Sequence, residues 1–411
     1  FQFEIKVMNF KMKLSTKILI GLLSGVIVGL FFQGNPVWAS TFIGPLGTLF
    51  LRLINMIIVP LVFSTIIVGA SSVGDMKKLG RLGGKTMAFY LVTTGIAVVI
   101  GIVLANIIAP GAGLTLPVDA EYAGREAPPI IEVLLNIIPN KPLEALVQGS
   151  MLQIITFALF IGIAITAAGE KAQIVRNFFD GFAEIMYKMT GFVMAFAPYG
   201  VFGLIVPVVA VNGPDVLFPL FKIIATVYIG VFLHGFFVYG AALRLFTKLG
   251  LLDFYKAIFP AQVIAFSTCS SGATLPVTIK CVEENIGVSK EVSSFVLPLG
   301  ATINMDGTAV YVGVAALFVA QVYGLELTIA QQLIVVITGA LASIGSAGVP
   351  GAGLIMLTLV LTSVNLPLEG VALVAGVDRI LDMARTTLNI TGDAVAAVVV
   401  AASEDELELS E

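Results

Sequence analysis

The stretch Val377–Val398, VDRILDMARTTLNITGDAVAAV, lies within apolar sequence and is long enough to span a membrane as a helix. It nevertheless carries several ionisable and amide side chains. At about 100° per residue, six of its polar side chains fall within an arc of roughly 100°: Asp378, Asp382, Arg385, Thr386, Asn389 and Asp393. The stretch is therefore predicted to be a membrane-spanning helix with one polar face.

This polar face has two interpretations. A charged side chain at bilayer depth costs about 2.5–3.5 kcal/mol on insertion scales, and it persists where it faces protein or a water-filled cavity. In the first interpretation, Asp382 and Arg385 form a self-satisfied pair that only orients the helix. In the second, which the polarity of the whole face favours, the helix lines a binding site for a charged solute and its ions.

The composition of the chain supports a membrane protein. Of its 411 residues, 58% are hydrophobic and 12% are charged, which is typical of a helical protein that crosses the membrane several times. The net charge of −4 and the absence of a basic run argue against nucleic-acid binding. Cys269 and Cys281 form neither a disulfide framework nor a zinc pattern. The single histidine, His234, lies in an apolar stretch and is predicted to be structural.

Apolar runs predict eight spans, with Lys and Arg concentrated in the cytoplasmic connections. Pro60 is expected to kink the second span, and Pro139 and Pro142 to break the fourth. The predicted spans are about 14–32, 41–71, 85–108, 130–168, 174–198, 216–245, 295–322 and the polar-faced helix. We expect a protein of the plasma (inner) membrane with both termini in the cytoplasm.

Two further apolar segments, 257–277 and 333–362, are interrupted in the middle. The interruptions, Ser267–Pro276 and Ala342–Gly351, are rich in serine, glycine and proline. At mid-membrane depth such residues leave backbone groups unsatisfied unless they line a cavity.

The charges around these segments predict their orientation. Lys256 precedes the first segment and Lys280 and Lys290 follow it, so it is expected to begin and end in the cytoplasm as a re-entrant hairpin. The sequence on either side of the second segment lacks Lys and Arg, so that segment is expected to begin and end outside. The alternative, that both interruptions are kinks in ordinary spans, does not fit the charge pattern.

The predicted fold class is therefore an all-α polytopic membrane protein, with eight transmembrane helices and two re-entrant helical hairpins in inverted repeats. Interrupted segments at corresponding positions of two oppositely oriented repeats indicate a secondary transporter with its binding site near the middle of the membrane.

A second polar stretch, Gly300–Thr308, interrupts the seventh span with the sequence GATINMDGT. Such residues weaken a helix and free backbone carbonyls. Hard cations such as Na⁺ bind carbonyl, carboxylate and hydroxyl oxygens, by analogy with other hard cations. Asp306 and Asp393 are the natural anionic ligands, with Asn304 and Asn389 as neutral ones. The alternative is a packing network in which Asn304 and Asp306 pair with Asn389.

The polar face also suggests the chemical class of the solute. Backbone N–H groups at the hairpin tips suit one carboxylate, and the planar fork of Arg385 suits a second. Asp382, one turn away from Arg385, can bind an ammonium group. Two carboxylates and an ammonium group together describe glutamate or aspartate.

Four stretches of this chain resemble the signature motifs of the dicarboxylate/amino acid:cation symporter family, which includes glutamate and aspartate transporters. They are SSGATLPVT (Ser270–Thr278), PLGATINMDGTAVY (Pro298–Tyr311), SIGSAGVPGAG (Ser343–Gly353) and LDMARTTLNITGD (Leu381–Asp393). The resemblance implies a homotrimer in the lipid bilayer whose transport domain moves like an elevator against a fixed scaffold. It assigns 1–84 and 130–200 to the scaffold, and 85–110 and 216–411 to the transport domain.

The resemblance also implies roles for individual residues in binding an acidic amino acid. Asp382 is expected to bind the ammonium group and Arg385 the side-chain carboxylate, supported by Thr308. Asn389 and the backbone at Ser271 are expected to hold the α-carboxylate. Thr386 and the backbone at Val349 and Gly353 complete the expected pocket.

Three co-transported sodium ions have expected sites by the same resemblance. The first uses Asp393 with carbonyls of Gly300, Asn304 and Asn389. The second uses carbonyls of Thr302, Ser343, Ile344 and Ser346, near Met305. The third uses Asp306, Asn304, Tyr90, Thr93 and Thr94.

The sequence departs from the family pattern at three positions. Archaeal relatives have an arginine where this chain has Cys269, and animal relatives have one where it has Met383. The positive charge near the pocket is therefore expected to be lower. The glutamate that carries a proton in animal relatives is replaced by Val312, so proton coupling through that position is not available.

Other functions were weighed against this one. A C4-dicarboxylate would leave Asp382 facing an anion without an ammonium group, and a neutral amino acid would leave Arg385 unpaired. An intramembrane aspartyl protease needs two carboxylates that share a proton, but Asp306 and Asp393 each lie near Asn and Gly in a setting typical of cation sites. The protein is therefore predicted not to be an enzyme.

Overall fold

The computed structural model describes residues 14–71, 79–114, 116, 135, 138–343 and 352–408. All regular secondary structure in these ranges is helical, apart from one isolated β-bridge between Val288 and Leu407. The all-α class predicted from the sequence is thus confirmed for the described part of the chain.

We number the described helices of seven or more residues in chain order. They are α1 Leu14–Phe31, α2 Pro36–Ser71, α3 Leu79–Ile108, α4 Pro142–Gln148, α5 Met151–Ala168, α6 Gln173–Asn212, α7 Leu217–Phe246, α8 Leu251–Thr268, α9 Ser271–Lys280, α10 Lys290–Ile303, α11 Asp306–Val322, α12 Ile329–Ser343, α13 Ala352–Ser363 and α14 Val371–Ser403. Helices α2 and α7 each contain a π-helical turn, at Ala39–Ile43 and His234–Val238.

Six helical stretches of the described chain are long and apolar enough to cross a membrane. They are Pro36–Ser71, Arg81–Ile108, Gln153–Val211, Leu217–Phe246, Lys290–Val322 and Leu373–Ser403. One of them, Gln153–Val211, contains most of α5 and most of α6, and α1 is apolar but shorter. The exact count of eight spans therefore stays a prediction.

Several predicted helix boundaries are wrong, including the starts of the second and third spans, which lie at Pro36 and Leu79. The fifth span does not end at Pro198, because α6 continues through Pro198 and Pro207 to Asn212. A proline removes one backbone hydrogen bond and kinks a helix, and in a membrane protein neighbouring helices make this tolerable. In the fourth span, for which breaks were predicted at Pro139 and Pro142, a helix begins at Pro142 and ends before a further break at Gly149, which has a left-handed φ of 70°. The seventh span begins at Lys290, before the predicted residue 295.

Helix α1 packs closely on α6 through a stripe of small residues. Gly21, Gly25 and Gly29 recur every four residues, which places them on one face of α1. A Cβ atom added at Gly21 would lie 2.4 Å from the carbonyl oxygen of Pro198, and one at Gly25 would lie 2.2 Å from the side chain of Ile205. Small residues let membrane helices approach this closely and gain dispersion contacts.

Helix α11 lies at the centre of a second group of helices. All of its residues except Gln321 are buried. A Cβ atom at Gly313 would lie 2.6 Å from the carbonyl oxygen of Val98, and one at Gly101 would lie 2.3 Å from that of Val310. Helices α11 and α3 therefore contact each other backbone to backbone, and α14 packs on another side of α11.

The first interrupted segment folds back on itself. Helices α8 and α9 are joined at Cys269, and the side chain of Asn285, beyond α9, donates to the carbonyl of Ala257 at 2.8 Å. The two ends of the segment therefore lie side by side. In the second segment, α12 and α13 also contact each other, while its interruption at 344–351 falls outside the described residues.

Residues 404–408, which follow α14, contact α3 and the segment between α9 and α10. The backbone N–H of Glu408 donates to the carbonyl of Gly287 at 2.9 Å, next to the β-bridge. Glu404 pairs with Lys85 at 2.6 Å and with Arg81. The hydrogen bond from Lys85, and a further one from Arg81, lower the pKa of the Glu404 carboxyl.

Candidate functional site

The polar face of α14 is buried inside the protein. Five of its polar residues are each at most 7% exposed: Asp378, Asp382, Thr386, Asn389 and Asp393. Arg385, at 1% exposed, is the largest side chain among those that are almost completely buried. The prediction that this face points into the protein is therefore confirmed.

The guanidinium group of Arg385 lies between two carboxylates of its own helix. Its Nη1 is 2.7 Å from Oδ1 of Asp378, and its Nη2 is 2.9 Å from Oδ1 of Asp382. These are the (i, i+7) and (i, i+3) positions of one helical face, so α14 itself brings them together. The pair of Asp382 and Arg385 considered from the sequence is present, and Asp378 is an additional partner that the sequence did not assign.

Neighbouring helices enclose this charged group. The guanidinium carbon lies 4.2 Å from the ring centroid of Tyr311 in α11, a cation–π distance. A Cβ atom at Gly353, at the start of α13, would lie 2.3 Å from Nη1. The buried Nε–H of Arg385 has no acceptor among the described residues. Its Nη2 also makes no hydrogen bond there and has only the ion pair with Asp382, so the side chain keeps donors for a further carboxylate.

The tip of the first interrupted segment reaches this region from α8 and α9. Cys269 adopts a left-handed conformation with φ 55°, which is uncommon for a residue other than glycine, asparagine or aspartate. Ser270 caps α9, its hydroxyl oxygen accepting from the N–H of Ala273 at 3.2 Å. Ser271 follows and is buried at the first turn of α9. Its place at a helix N-terminus suits binding of a carboxylate.

A positively charged side chain of α14 contacts this tip. Arg379, on the turn of α14 that precedes Asp382, donates from Nη2 to the carbonyl oxygen of Ser267 at 3.0 Å. Ser267 is two residues before Cys269. A cation therefore reaches the tip from α14, although neither Cys269 nor Met383 is an arginine.

Four residues predicted for the first sodium site lie together. Nδ2 of Asn304 donates to Oδ1 of Asp393 at 2.9 Å and to the carbonyl oxygen of Asn389 at 3.1 Å. A Cβ atom at Gly300 would lie 2.5 Å from that same Oδ1 of Asp393. Asn304 Oδ1 is buried and accepts no hydrogen bond within the described chain. The cluster therefore contains a carboxylate and a free amide oxygen, both suitable ligands for a hard cation.

The side chain of Asn389 connects this cluster to α11. Its Oδ1 accepts from the backbone N–H of Gly307 at 2.8 Å, and its Nδ2 lies 3.2 Å from the sulfur of Met305. Thr308, in the same turn, is buried. The packing network considered from the sequence thus exists in part, because Asn304 does contact Asn389.

Asp306 lies in a second cluster, with donors from two other helices. Thr94 of α3 donates to Oδ1 at 2.6 Å, and Tyr239 of α7 donates to Oδ2 at 2.7 Å. Nε2 of His234 is 3.1 Å from the same Oδ2. Asp306 is completely buried. His234, which was predicted to be structural, therefore contacts a predicted site residue.

The remaining predicted ligands lie at different places. Tyr90 and Thr93 of α3 are buried near Asp306. The hydroxyl of Tyr90 donates to the carbonyl of Val296 at 3.0 Å, and the hydroxyl of Thr93 donates to the carbonyl of Tyr90 at 3.3 Å. The side chain of Thr302 is exposed on α10. Ser343 ends α12. Three predicted site residues fall outside the described part of the chain: Ile344, Ser346 and Val349.

Four residues that the structure places in these clusters were not assigned to a binding site from the sequence. Asp378 and Tyr311 contact Arg385, while His234 and Tyr239 contact Asp306. A lone histidine in an apolar helix is a weak signal, and nothing local connects it to a residue 72 positions away. No group of three or more His, Cys, Asp and Glu side chains suited to a resident metal ion occurs within the described ranges.

These features define an integral membrane protein whose helices enclose charged groups at two interrupted helical segments. The sodium:dicarboxylate symporter family matches residues 14–403 of the chain. The chain is 40% identical over 406 residues to a "Proton/sodium-glutamate symport protein" of Geobacillus stearothermophilus, covering 96% of each chain. It is 37% identical over 417 residues to a "Proton/glutamate-aspartate symporter" of Escherichia coli K12, covering 97% of this chain and 95% of that protein.

A third relative differs in the substrate of its name. A "C4-dicarboxylate transport protein" of Bacillus subtilis is 35% identical over 408 residues, covering 96% of this chain and 94% of that protein. The chain belongs to the sodium:dicarboxylate symporter family. It is a membrane transporter and not an enzyme, which confirms the family and the class predicted from the sequence.

Proposed function

We propose that this protein takes up acidic amino acids, aspartate or glutamate, in symport with sodium ions. The observation that carries this proposal is the charge of the buried region. Among the buried ionisable side chains of the described chain, four are carboxylates, Asp306, Asp378, Asp382 and Asp393, and one is the guanidinium of Arg385. An excess of negative charge in the membrane is costly, so this region favours binding of cations together with an anionic solute.

The substrate is expected to bind by exchanging ion pairs. Arg385 and Asp382 neutralise each other at 2.9 Å. An acidic amino acid offers a carboxylate to Arg385 and an ammonium group to Asp382, so both charges keep a partner. Asp378 continues to hold Nη1. The remaining proposed contacts with the substrate are the side chains of Thr308, Thr386 and Asn389 and the backbone at Ser271, Val349 and Gly353.

Sodium ions are proposed as cargo at three places. Asp393 with Gly300, Asn304 and Asn389 forms the first site. The second site is proposed to use Thr302, Met305, Ser343, Ile344 and Ser346. The third is proposed to use Asp306, Asn304, Tyr90, Thr93 and Thr94. The free Oδ1 of Asn304 and the two separate buried carboxylates support the first and third sites. The names of two relatives also mention sodium or protons.

Uptake into proteoliposomes tests this function. We expect labelled aspartate to accumulate when an inward sodium gradient is imposed, and not when choline replaces sodium. Unlabelled glutamate should compete, whereas succinate, serine and alanine should compete weakly. Accumulation that does not depend on sodium would contradict the coupling, and stronger competition by succinate would favour the C4-dicarboxylate substrate of the Bacillus subtilis relative.

We further propose that the two interrupted segments are re-entrant hairpins in a membrane with both termini in the cytoplasm. The adjacent ends of the first segment support this, because Asn285 contacts Ala257. A single cysteine at Lys256 and another at Lys290, each in a variant with both native cysteines replaced by serine, should react with an impermeant reagent only from the cytoplasmic side. Reaction of the two positions from opposite sides would show an ordinary span instead.

The contacts between helices support a division of the protein into a scaffold and a transport domain. Helices α1, α2, α5 and α6 pack mainly with one another, and α3 packs with α7, α11 and α12. The expected division is 1–84 and 130–200 as the scaffold, with 85–110 and 216–411 as the transport domain. The assembly is proposed to be a homotrimer in the lipid bilayer, so three chains per particle should be found by mass measurement in detergent.

An elevator motion predicts that a cross-link between the two domains stops transport. A Cβ atom at Gly376 of α14 would lie 2.5 Å from the side chain of Leu22 in α1. In a variant without native cysteines, Leu22→Cys with Gly376→Cys should therefore form a disulfide on oxidation and lose uptake, and reduction should restore it. Each single variant is the control, and full uptake by the oxidised double variant would contradict relative motion of these two helices.

A further inference from the structure

We propose that His234 and Tyr239 are positioning residues for Asp306, and that they set the sodium affinity of the site this carboxylate forms. The inference rests on the proposed coupling to sodium and adds two residues from a helix to which no sodium ligand is assigned. Both side chains contact one oxygen of the carboxylate, Oδ2, while Thr94 contacts the other, Oδ1.

The two donors come from one unusual turn of helix α7. In an α-helix, residues five apart point about 140° away from each other. The π-helical turn His234–Val238 is wider, and the backbone N–H of Tyr239 donates to the carbonyl of His234. This wider turn places both side chains on the same side of α7. Their rings meet edge to face, with centroids 4.8 Å apart at 86°. Such turns are frequent at functional sites.

Burial makes these hydrogen bonds strong. His234, Tyr239 and Asp306 have no exposed surface, so water does not compete for the carboxylate. A carboxylate only accepts, so the histidine must carry its proton on Nε2. Its Nδ1 has no hydrogen-bond partner among the described residues, which fits an unprotonated nitrogen.

The arrangement determines which oxygen of Asp306 is available to a cation. Oδ2 is engaged by Tyr239 and by His234, and together they prevent rotation of the carboxylate. Within the described chain, Oδ1 has only the hydroxyl of Thr94 as a partner. This hydroxyl can turn its proton away and offer its own oxygen to a cation. Without the two donors on Oδ2, the carboxylate can rotate and the ligands are no longer held in place before the ion binds.

The test compares two hydroxyl deletions in the same helix. Tyr239→Phe removes the donor to Asp306 and keeps the ring. Tyr228→Phe is the matched control, because that hydroxyl donates to the carbonyl of Ile380 at 2.9 Å and not to a sodium ligand. His234→Leu removes the second donor, and His234→Gln retains an N–H at that position. Tyr239→Phe carries the test even if His234→Leu does not fold.

Two measurements on each purified protein separate ion binding from substrate binding. The first is the rise in melting temperature with sodium chloride against choline chloride, without substrate. The second is the affinity for aspartate in saturating sodium. Outer-shell partners of a bound metal ion contribute about 10–100-fold in affinity, so Tyr239→Phe and His234→Leu should raise the half-saturating sodium concentration about tenfold. Tyr228→Phe and His234→Gln should match the parent protein, and the affinity for aspartate in saturating sodium should not change.

Two results would overturn the inference. If Tyr239→Phe and Tyr228→Phe show the same rise in melting temperature with sodium chloride, the hydrogen bond from Tyr239 to Asp306 does not set the affinity for sodium. If Tyr239→Phe lowers the affinity for aspartate even in saturating sodium, its role is in the substrate pocket or in general packing. A parent protein with no response to sodium would instead reject the proposed coupling together with this inference.

Discussion

Replacing Arg385 by cysteine is expected to lower the affinity for aspartate and glutamate by about 2–5 kcal/mol, the usual cost of truncating one partner of a buried charge pair. The substitution removes both the charge and the planar fork that would bind the side-chain carboxylate. Serine and alanine should lose little affinity, because the proposed contact of Asp382 with the ammonium group is common to acidic and neutral amino acids. Calorimetric titration in saturating sodium measures this difference directly.

The structure adds a second effect of this substitution. Arg385 holds Asp378 at 2.7 Å and Asp382 at 2.9 Å, so its removal leaves two buried carboxylates without their cation. Breaking a buried ion pair typically destabilises a protein by about 3–5 kcal/mol. Arg385→Cys combined with Asp378→Asn removes one of these charges and should recover part of the lost stability. The double variant therefore permits the binding test if the single variant folds poorly.

Arg379→Cys is the matched control for this prediction. Arg379 is on the same helix but partly exposed, and it bonds to the carbonyl of Ser267 rather than to a carboxylate. Its replacement should leave the preference for acidic over neutral amino acids unchanged. If both cysteine variants lower the affinity for aspartate and serine equally, Arg385 does not select the substrate. If the parent protein prefers serine or succinate to aspartate, the proposed roles of Arg385 and Asp382 are both wrong.

Asp393→Asn is expected to weaken the sodium dependence of aspartate binding. Asp393 is buried, accepts from Asn304 at 2.9 Å and lies against Gly300. Asparagine keeps the volume but loses the charge, which is the main attraction for a cation at this depth. Since even outer-shell partners contribute about 10–100-fold to metal affinity, the half-saturating sodium concentration should rise by at least about tenfold. In saturating sodium, the contacts of aspartate with Arg385 and Asp382 should persist.

The measurement is the apparent affinity for aspartate over a series of sodium concentrations at constant ionic strength. Asp253→Asn serves as a control, because that carboxylate is 70% exposed on α8 and far from the sequence motifs. Asp306→Asn should also weaken sodium dependence, since it changes the buried carboxylate of the other proposed sodium site that contains an aspartate. If the parent protein responds to sodium and the Asp393→Asn variant shows the same sodium dependence, Asp393 is not a sodium ligand.

The sequence alone was sufficient to predict the polar face of α14 and its burial. Six polar side chains recur at helical spacing within apolar sequence, and the cost of charge in a bilayer leaves few other places for them. The same physical rule located the two interrupted segments, because serine, glycine and proline at bilayer depth need a protein or water environment. Four long motifs then indicated the family. Each of these signals is local, so it could be recognised along the chain.

The tertiary structure decided which side chains meet across the chain. Asp306 is held by Thr94, His234 and Tyr239, of which Thr94 is 212 positions away. Arg379, on the same helix as the predicted site, turned out to reach the tip formed by α8 and α9. Such contacts depend on how helices cross and on a single wide turn in α7, and no periodic pattern encodes them. Local periodicity determines the face of a helix that is buried, whereas packing between distant helices determines the partner that each buried charge finds.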